Sequence, residues 1–453
     1  MRPRPLSDVA RAVGGRATGE DVEVRSVVTD SRSVRPGALF VALPGAHTDG
    51  GLFVAEAFRR GAAAALVREG TGSPGPVVSV RSTGDALLAL AAEERRRGDA
   101  TLIGITGANG KTSTKDLAAA VLATRLRTHA NRASLNNEVG LPLTIMDAPS
   151  GTEVLVCEMG ARRAGDVALL CEVARPDVVV VTNVGLAHVE IFGSWAAIVD
   201  ASAEPVDALS PEGVAVLNAD DGVVAGYAER CRGRVVTFGT TAGAEVRGAD
   251  VSLGEDGCAS FALEVAGQRE RVELGVAGEH MVGNALAAAA VGHVLGLSAA
   301  ECASGLKGAA VSPWRMETFT NAEGVRVIND AYNANPESMA AALRAARWIA
   351  RDVILIAVLG PMAELGAIAG DEHERLGELA TRLRVDRVVT VGPEARAIAV
   401  AALREGVEPQ NVASYDDGED ALADVRAHAR PGDVVLFKAS RLAGLERLAE
   451  AMR

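Results

Sequence analysis

Runs of apolar, mostly β-branched residues alternate with helical patterns along most of this chain. In the middle of the chain the pattern predicts strands at 101–106, 153–157, 177–182 and 214–217. The same rhythm restarts further on, with strands predicted at 325–328, 353–359, 387–391 and 433–437. Strands separated by helices are typical of βαβ units and of mostly parallel sheets that are buried on both faces. Two such units are therefore expected, a central one and a C-terminal one.

The remaining segments complete a prediction of three domains. The first 97 residues form a compact αβ region, with apolar runs at Val24–Val28 and Gly37–Leu43 before a helical pattern over Ala55–Gly61. Short alternating strands at 246–275 indicate an antiparallel appendage to the central unit, and an alanine-rich helix follows at Gly283–Leu295. We predict an α/β protein with a small αβ N-terminal domain, a central P-loop-type parallel-sheet domain and a C-terminal Rossmann-like domain. Their predicted bounds are 1–98, 99–312 and 313–453.

Composition narrows the functional classes. A chain of 453 residues exceeds a single core, and its hydrophobic content of 48% fits globular domains. The net charge of −13 argues against a broad nucleic-acid surface or attraction to anionic membranes, and no run of 18 apolar residues lacks a charge or a turn. The five cysteines lack C-x-x-C spacing, and no secretory signal is visible. These features indicate a reduced, cytoplasmic protein. Independently of composition, we expect a monomer that acts on small molecules.

The strand predicted at 101–106 runs into a glycine loop and a helix start. The loop reads Gly107-Ala108-Asn109-Gly110-Lys111-Thr112-Ser113, a tighter form of the phosphate-binding loop, because Ile105 stands where the longer spacing has glycine. Glycines let backbone N–H groups approach phosphates, and the helix N-terminus adds positive potential. Lys111 would reach the outer phosphates, and the Thr112 hydroxyl would bind Mg²⁺. An ordinary glycine turn is the alternative, but the strand–loop–helix context favours ATP.

Two polar side chains follow neighbouring predicted strands. Glu158 comes directly after the strand at 153–157, and His188 lies shortly after the strand at 177–182. Ligands bind at the carboxyl ends of parallel strands, so the Glu158 carboxylate would complete a magnesium shell of oxygen ligands, although a solvated charge or a helix cap is the usual role of such an acid. His188 is either an ordinary loop histidine or a neighbour of the metal or phosphate.

Other candidates depend on how the domains meet. Arg315 and Asp330 open the C-terminal region and would clamp phosphate and ribose if that domain lies over the loop; otherwise they are surface residues. The Asn136-Asn137 segment suits hydrogen bonding to a polar substrate, although asparagine-rich loops are also common turns.

Ordered motifs along nearly the whole chain resemble those of the Mur ligases, ATP-dependent amide-forming enzymes of peptidoglycan precursor synthesis. In chain order the motifs are Thr29-Asp30-Ser31-Arg32, Gly107-x-x-Gly110-Lys111-Thr112-Ser113, Asn136-Asn137-Glu138-x-Gly140, Glu158-Met159-Gly160, Asn183-x-Gly185-x-Ala187-His188, Gly278-x-His280-x-x-x-Asn284, Asp330-Ala331-Tyr332-Asn333-Ala334-Asn335-Pro336, Met362-Ala363-Glu364-Leu365-Gly366 and Lys438-Ala439-Ser440. Within the family, the segments around Tyr332 and Glu364 favour the members that add a D-alanyl-D-alanine dipeptide.

The resemblance implies ATP-dependent joining of D-alanyl-D-alanine to UDP-N-acetylmuramoyl-tripeptide through an acyl phosphate, with Mg²⁺ as cofactor. The N-terminal domain would bind the UDP-sugar end through Thr29, Asp30, Ser31 and Arg32, and the C-terminal domain would present the amine. Contacts with ATP are expected from Gly107, Asn109, Gly110, Lys111, Thr112, Ser113, Asn284 at the adenine, Arg315 and Asp330. Magnesium neighbours would be Thr112, Glu158 and His188, and catalytic roles fall to Lys111, Glu158 and His188. Further substrate contacts are expected from Asn136, Asn137, Tyr332, Asn333 and Asn335.

Ser202 departs from the family pattern. The family has a lysine, carbamylated to help bind a second Mg²⁺, ten residues after the phenylalanine of a Phe-Gly-Ser segment, here Phe192-Gly193-Ser194. A serine cannot form a carbamate, and Asp200 and Glu204 are the candidates to replace it. Two alternatives therefore stay open: a paralogue that joins a different carboxylate and amine, for example in secondary metabolism, and a nucleotide-binding regulatory protein without catalysis.

Overall fold

The N-terminal region is built on a mixed sheet. The computed structural model describes residues 1–45, 48–131 and 134–453. The elements of this region are β1 Arg4–Pro5, α1 Leu6–Ala12, β2 Arg16–Thr18, β3 Glu23–Val24, β4 Ser26–Val28, β5 Ala38–Val41, α2 Val54–Arg59, β6 Ala64–Arg68, β7 Val77–Val80 and α3 Thr83–Arg96. The sheet order is β2-β7-β6-β5-β4, with β2 antiparallel to β7 and the other pairs parallel. The apolar run Val24–Val28 is divided, because β3 pairs with β1 outside this sheet.

The central region contains the parallel sheet that carries the glycine loop. Its elements are β8 Thr101–Thr106, α4 Lys111–Ala123, β9 Thr128–Ala130, α5 Gly140–Asp147, β10 Val154–Glu158, α6 Asp166–Ala174, β11 Val178–Val181, α7 Val189–Phe192, α8 Trp195–Asp207, β12 Val214–Asn218, α9 Gly222–Gly226, β13 Arg234–Gly239, β14 Val246–Leu253, β15 Cys258–Val265, β16 Gln268–Ala277, α10 Met281–Val294 and α11 Ala299–Leu306. The sheet order is β16-β15-β14-β13-β12-β11-β8-β10-β9.

The strand directions in this sheet confirm the prediction. Pairs from β9 to β14 are parallel, and β14, β15 and β16 pair antiparallel. The antiparallel appendage expected at 246–275 is therefore joined edge to edge to the parallel sheet. Ala285–Ala290 in α10 are fully buried, because small side chains let this helix lie close to the sheet and to α4. This packing holds the first turn of α4 in place.

The C-terminal region is a second parallel sheet with one antiparallel edge strand. Its elements are β17 Glu317–Thr320, β18 Arg326–Asn329, α12 Pro336–Ile349, β19 Leu355–Leu359, α13 Ala369–Arg382, β20 Arg387–Val391, α14 Arg396–Arg404, β21 Val412–Tyr415, α15 Gly418–His428, β22 Val434–Lys438 and α16 Leu445–Glu450. The order is β17-β18-β22-β19-β20-β21, and β17 is the antiparallel strand. Helix α12 begins with Asn335 as N-cap in a capping box and Pro336 in the first turn, residue types that favour a helix start.

The N-terminal and central regions share a hydrophobic cluster. Leu87 and Leu90 on α3 belong to the same buried cluster as Leu141 on α5 and Leu170 on α6. The α/β fold class is as predicted, with one large sheet in each of the three regions, whereas the bounds 1–98, 99–312 and 313–453 stay predictions. Within the described residues, no helix is long and apolar enough to cross a membrane.

Candidate active site

The glycine loop lies at the centre of the parallel sheet. Strand β8 pairs with β10 on one side and β11 on the other, so the carboxyl ends of three strands meet at the loop. Gly107 has φ of +135°, and a Cβ there would lie 2.1 Å from Thr182 Oγ1. Gly110 has φ of +78°, and a Cβ there would lie 2.2 Å from Asn284 Oδ1. Both positions therefore require glycine, and the chain passes directly from them into α4.

Lys111 occupies the first helical position and bends back over the loop. Its Nζ donates to the carbonyl oxygen of Gly107 at 2.7 Å. Burial lowers the pKa of the Lys111 ammonium group, the negative charge of Glu158 opposes this shift, and Arg315 adds to it. An anion beside a buried ammonium group stabilises its charged form. A phosphate at the predicted contact would therefore stabilise the charge of Lys111.

Thr112 and Glu158 form a buried polar pair beside the loop. The Thr112 hydroxyl donates to Glu158 Oε2 at 2.8 Å, and the amide of Asn136 donates to Glu158 Oε1 at 2.7 Å. The Thr112 side chain also lies 3.3 Å from Ser134 Oγ. Glu158 ends β10, so the strand register brings its carboxylate next to the first turn of α4. The sequence predicted that Thr112 and Glu158 meet, and they do.

The donor set of this pair fits Mg²⁺. A hydroxyl and a carboxylate are hard oxygen ligands, and Mg²⁺ in nucleotide sites keeps waters and binds few protein groups besides the phosphates. Among the residues that the structure describes, no group of three or more His, Cys, Asp or Glu could hold a metal ion. A magnesium ion here would therefore rest on Thr112, Glu158 and the nucleotide itself.

Arg315 comes to this pair from the C-terminal region. Its Nη2 donates to Thr112 Oγ1 at 2.7 Å, and its guanidinium carbon lies 4.1 Å from the centre of the Tyr332 ring. The Nε of Arg315 is buried and has no hydrogen-bond partner in the described part of the chain. A buried guanidinium with an unused donor beside the glycine loop suits a phosphate oxygen, and the predicted role of Arg315 in clamping phosphate stays a prediction.

Further contacts tie the C-terminal region to the loops around the site. Asn335 donates from Nδ2 to Asn109 Oδ1 in the glycine loop at 2.8 Å. The N–H of Leu186 donates to Glu337 Oε1 at 3.0 Å. His188 pairs through Nδ1 with Glu364 Oε2, so its ring contacts the C-terminal region. Sequence reasoning placed Asn335 at the substrate and His188 at the metal, and did not identify either glutamate as part of the site.

Asp330 lies at the end of β18 in a second charged pair. Its Oδ2 accepts from Lys438 Nζ at 2.5 Å, and its Oδ1 accepts from the N–H of Met316 at 3.0 Å. Lys438 also donates to the backbone oxygen of Asn333 at 3.2 Å. Lys438 was not among the predicted site residues. Two sequence signals could have found it: Lys438 is one of only four lysines, and it begins the Lys438-Ala439-Ser440 motif.

Other predicted residues have local partners. Asn137 Oδ1 accepts from the N–H of Gly140 at 2.9 Å and so caps the start of α5. Asn284 Oδ1 accepts from Thr114 Oγ1 at 3.3 Å beneath the glycine loop, while Ser113 is buried in α4.

The predicted UDP-sugar segment lies apart from the glycine loop, directly after β4 of the N-terminal sheet. Thr29 and Ser31 belong to it, and Asp30 and Arg32 form an ion pair at 2.8 Å. The hydrogen bonds from Arg32 lower the pKa of Asp30 to about 2. The structure therefore presents a fixed carboxylate–guanidinium pair on the surface of the N-terminal region.

Ser202 stands where the family has its carbamylated lysine, and two carboxylates near it in sequence were the candidates to replace that group. Glu204 accepts hydrogen bonds from the N–H groups of Gly165 at 2.6 Å and Ala168 at 2.9 Å, so it caps the start of α6. Asp200 is exposed and lies 3.3 Å from Arg230. In this conformation both carboxylates therefore have partners outside the phosphate loop.

Family models match most of the chain. The Mur ligase middle domain matches residues 105–292, the Mur ligase glutamate ligase domain matches 314–441, and the Mur ligase family catalytic domain matches 23–95. The chain belongs to the Mur ligase family. A relative found in Mycobacterium tuberculosis and named UDP-N-acetylmuramoyl-tripeptide–D-alanyl-D-alanine ligase is 42% identical to this chain over an alignment of 494 positions, gaps included, that covers 99% of this chain and 97% of the relative.

Solved structures agree with this assignment. MurF from Acinetobacter baumannii is 29% identical to this Mur ligase with a TM-score of 0.89, and the match covers 100% of this chain and 99% of that one. MurF ligase from Thermotoga maritima, solved in complex with ADP, is 31% identical with a TM-score of 0.83 and coverage of 95% and 97%. The resemblance recognised from the sequence motifs is confirmed at the level of the family.

Proposed function

We propose that this Mur ligase uses ATP to join D-alanyl-D-alanine to the terminal carboxylate of UDP-N-acetylmuramoyl-tripeptide. The observation that carries the proposal is the 42% identity, over 99% of the chain, to the M. tuberculosis ligase of that name. The buried Thr112–Glu158 pair beside the glycine loop supports the use of ATP.

In this proposal the glycine loop binds the outer phosphates of ATP. The backbone N–H groups of Gly107 and Gly110, the start of α4 with Ser113, and the Lys111 ammonium group would face them, while the Asn109 N–H donates to Asn183 Oδ1 at 2.8 Å and holds the loop. Arg315 reaches the γ-phosphate, since its buried Nε needs an acceptor. Asn284 lies beside the loop as the adenine contact, and Asp330 binds the ribose, for which Lys438 holds its carboxylate in one orientation.

Mg²⁺ would be held by Thr112 and Glu158, with His188 as a neighbour. Bound there, the ion would neutralise charge on the phosphates during transfer. Asn136 fixes Glu158 through a 2.7 Å hydrogen bond, so the carboxylate is oriented before the nucleotide arrives. Orientation of this kind reduces the reorganisation that the transition state requires.

The proposed reaction has two steps. A carboxylate oxygen of the tripeptide attacks the γ-phosphorus of ATP and releases ADP, which leaves an acyl phosphate. The amine of the dipeptide then attacks the acyl carbon, loses a proton, and expels inorganic phosphate from a tetrahedral intermediate. Lys111 and Arg315 balance the negative charge of the phosphoryl group as it moves, which is the main contribution proteins make to phosphoryl transfer.

The substrates would approach from different regions. The segment Thr29–Arg32 would bind the UDP end, and Asn136 with Asn137 would lie near the carboxylate. Tyr332, Asn333 and Asn335 would line the side from which the amine enters. A cytoplasmic location and a monomeric state stay predictions.

Phosphate release tests the proposal. The purified protein is assayed with Mg-ATP and UDP-N-acetylmuramoyl-tripeptide, with and without D-alanyl-D-alanine, and the products are identified by mass spectrometry. Dipeptide-dependent release with a pentapeptide product is the expected result. Binding of ATP without release would contradict it, and release only with another carboxylate or amine would favour a paralogue with different substrates.

A further inference from the structure

Cationic and aromatic side chains alternate from the end of the C-terminal sheet to the glycine loop. Arg441 follows β22, and its guanidinium carbon lies 4.2 Å from the centre of the Trp314 ring and 6.0 Å from that of Tyr332. Arg315 lies 4.1 Å from the centre of the Tyr332 ring and bonds to Thr112. A guanidinium over an aromatic face is attracted by the ring quadrupole, and more strongly where water is excluded. We name Arg441, Trp314, Tyr332 and Arg315 the cation–aromatic stack.

The far end of the stack is anchored in the C-terminal region. Arg441 Nη1 lies 3.1 Å from Oε1 of Glu446, whose side chain is only 9% exposed. Glu446 belongs to α16, which packs on β22. The Arg441 side chain is 48% exposed, and its guanidinium has this ion pair as well as the rings as partners at the base of the stack.

The near end of the stack has an unusual backbone. Trp314 has φ of +60° and Met316 has φ of +52°, so both neighbours of Arg315 are left-handed although neither is glycine. The left-handed region is unfavourable for residues other than glycine, and such residues persist where surrounding contacts hold them. The N–H of Trp314 donates to Glu317 Oε2 at 3.1 Å, and that of Met316 donates to Asp330 Oδ1 at 3.0 Å. These bonds hold a backbone that turns the Arg315 side chain towards Thr112.

We infer that Trp314 and Arg441 are positioning residues for Arg315: through Tyr332 they fix the guanidinium where it meets the transferring phosphoryl group. This inference rests on the proposed function. Arginine has several rotatable bonds, and a side chain that is not held would sample conformations away from the phosphate. The stack restricts these conformations before ATP binds. It therefore orients the Arg315 side chain and is not needed for the stability of the fold.

A double-mutant cycle tests this coupling. The variants are Arg441→Ala, Arg315→Ala and both together, assayed for kcat and KM of phosphate release and for the affinity of Mg–AMPPNP by calorimetry. Arg441→Ala should lower kcat about tenfold in the parent, but less than about twofold in the Arg315→Ala background, because the residue that it positions is already absent. Trp314→Phe, which keeps a ring, should stay within about threefold of the parent, whereas Trp314→Leu should match Arg441→Ala.

The control is Arg351→Ala, which breaks a cation–aromatic pair outside the stack. The Arg351 guanidinium carbon lies 5.9 Å from the centre of the ring of Trp348, a residue of α12. Its effect should be small and should add to that of Arg315→Ala. Additive effects of Arg441→Ala and Arg315→Ala would overturn the inference, since they would mean that Arg441 acts without Arg315.

The nucleotide affinity separates this inference from the proposed function. A parent protein that binds Mg–AMPPNP but shows no turnover would contradict the proposed function, while non-additive affinities in the cycle would still support the stack. Additive affinities would overturn the positioning role whatever the substrates are. A parent protein that does not bind Mg–AMPPNP would overturn both.

Discussion

Replacement of Thr112 by valine removes one oxygen atom from the centre of the candidate site. Valine has nearly the same shape and a similar helix propensity, so α4 should keep its first turn. Thr112 is 1% exposed, and therefore water cannot easily take the place of the hydroxyl. The oxygen donates to Glu158 at 2.8 Å, accepts from Arg315 at 2.7 Å, and is the proposed magnesium contact.

The contacts set the expected size of the effect. Hydrogen bonds to charged groups contribute about 1.5–3 kcal/mol each. Glu158 keeps its bond from Asn136, and Arg315 keeps the Tyr332 ring, so part of the loss is offset. We expect about 3–4 kcal/mol less transition-state stabilisation, which corresponds to a fall of roughly 150- to 900-fold in kcat/KM for ATP.

The assay is continuous phosphate release at varied Mg-ATP, with circular dichroism and thermal unfolding to confirm that the variant is folded. Thr112→Ser keeps the hydroxyl and is the matched control, expected within about tenfold of the parent. A folded Thr112→Val protein with turnover within threefold of the parent would refute the assigned role of this hydroxyl.

Three further substitutions probe the same site. Lys111→Ala should abolish ADP formation with the fold intact, and near-normal turnover would contradict the phosphate contact. Glu158→Gln removes the charge that raises the pKa of Lys111, so that pKa should fall further. Because nucleotide affinity is lost as the ammonium group deprotonates, the alkaline limb of affinity against pH should move to lower pH; an unmoved limb in calorimetric titrations would refute this. Ser202→Lys should raise turnover or Mg²⁺ affinity if a missing carbamate limits the enzyme. No change in either would show that another group already takes the place of the carbamate.

Local sequence signals predicted the parts of the site that lie within one element. The glycine loop is a strand, two obligatory glycines and a helix start in direct succession, and each step has its own pattern. The N-cap at Asn335 is local in the same way. Four strands of the two larger sheets were not predicted, namely β9, β13, β17 and β21. Of these, β13 had a clear local signal, because Arg234–Gly239 is rich in β-branched and aromatic residues.

Partners from distant segments could not be predicted in this way. His188 and Glu364 are 176 positions apart, and Asp330 and Lys438 are 108 apart. Lys438 meets Asp330 because β22 lies beside β18, and strand order is decided by the packing of whole helices and sheets. Local patterns predict that a polar residue lies at a strand end, but not which strand is next to it.

The resemblance to the Mur ligases predicted substrate contacts for two residues that the structure also places against charged groups of the site. Asn136 was expected at the substrate, and it donates to Glu158. Tyr332 was also expected to contact a substrate, and its ring lies 4.1 Å from the Arg315 guanidinium carbon. Each can serve the substrate directly, but in the structure both also orient the charged groups that would meet ATP. No local pattern separates these two uses.

The central claim is that ATP activates the tripeptide carboxylate as an acyl phosphate, and the most direct test follows an oxygen atom of that carboxylate. UDP-N-acetylmuramoyl-tripeptide labelled with ¹⁸O in its terminal carboxylate is incubated with Mg-ATP, D-alanyl-D-alanine and the protein, and the released phosphate is analysed by mass spectrometry. Activation as an acyl phosphate predicts one ¹⁸O atom in each phosphate formed with the pentapeptide. Unlabelled phosphate would contradict the account, because it would mean that ATP is cleaved without phosphorylation of the carboxylate.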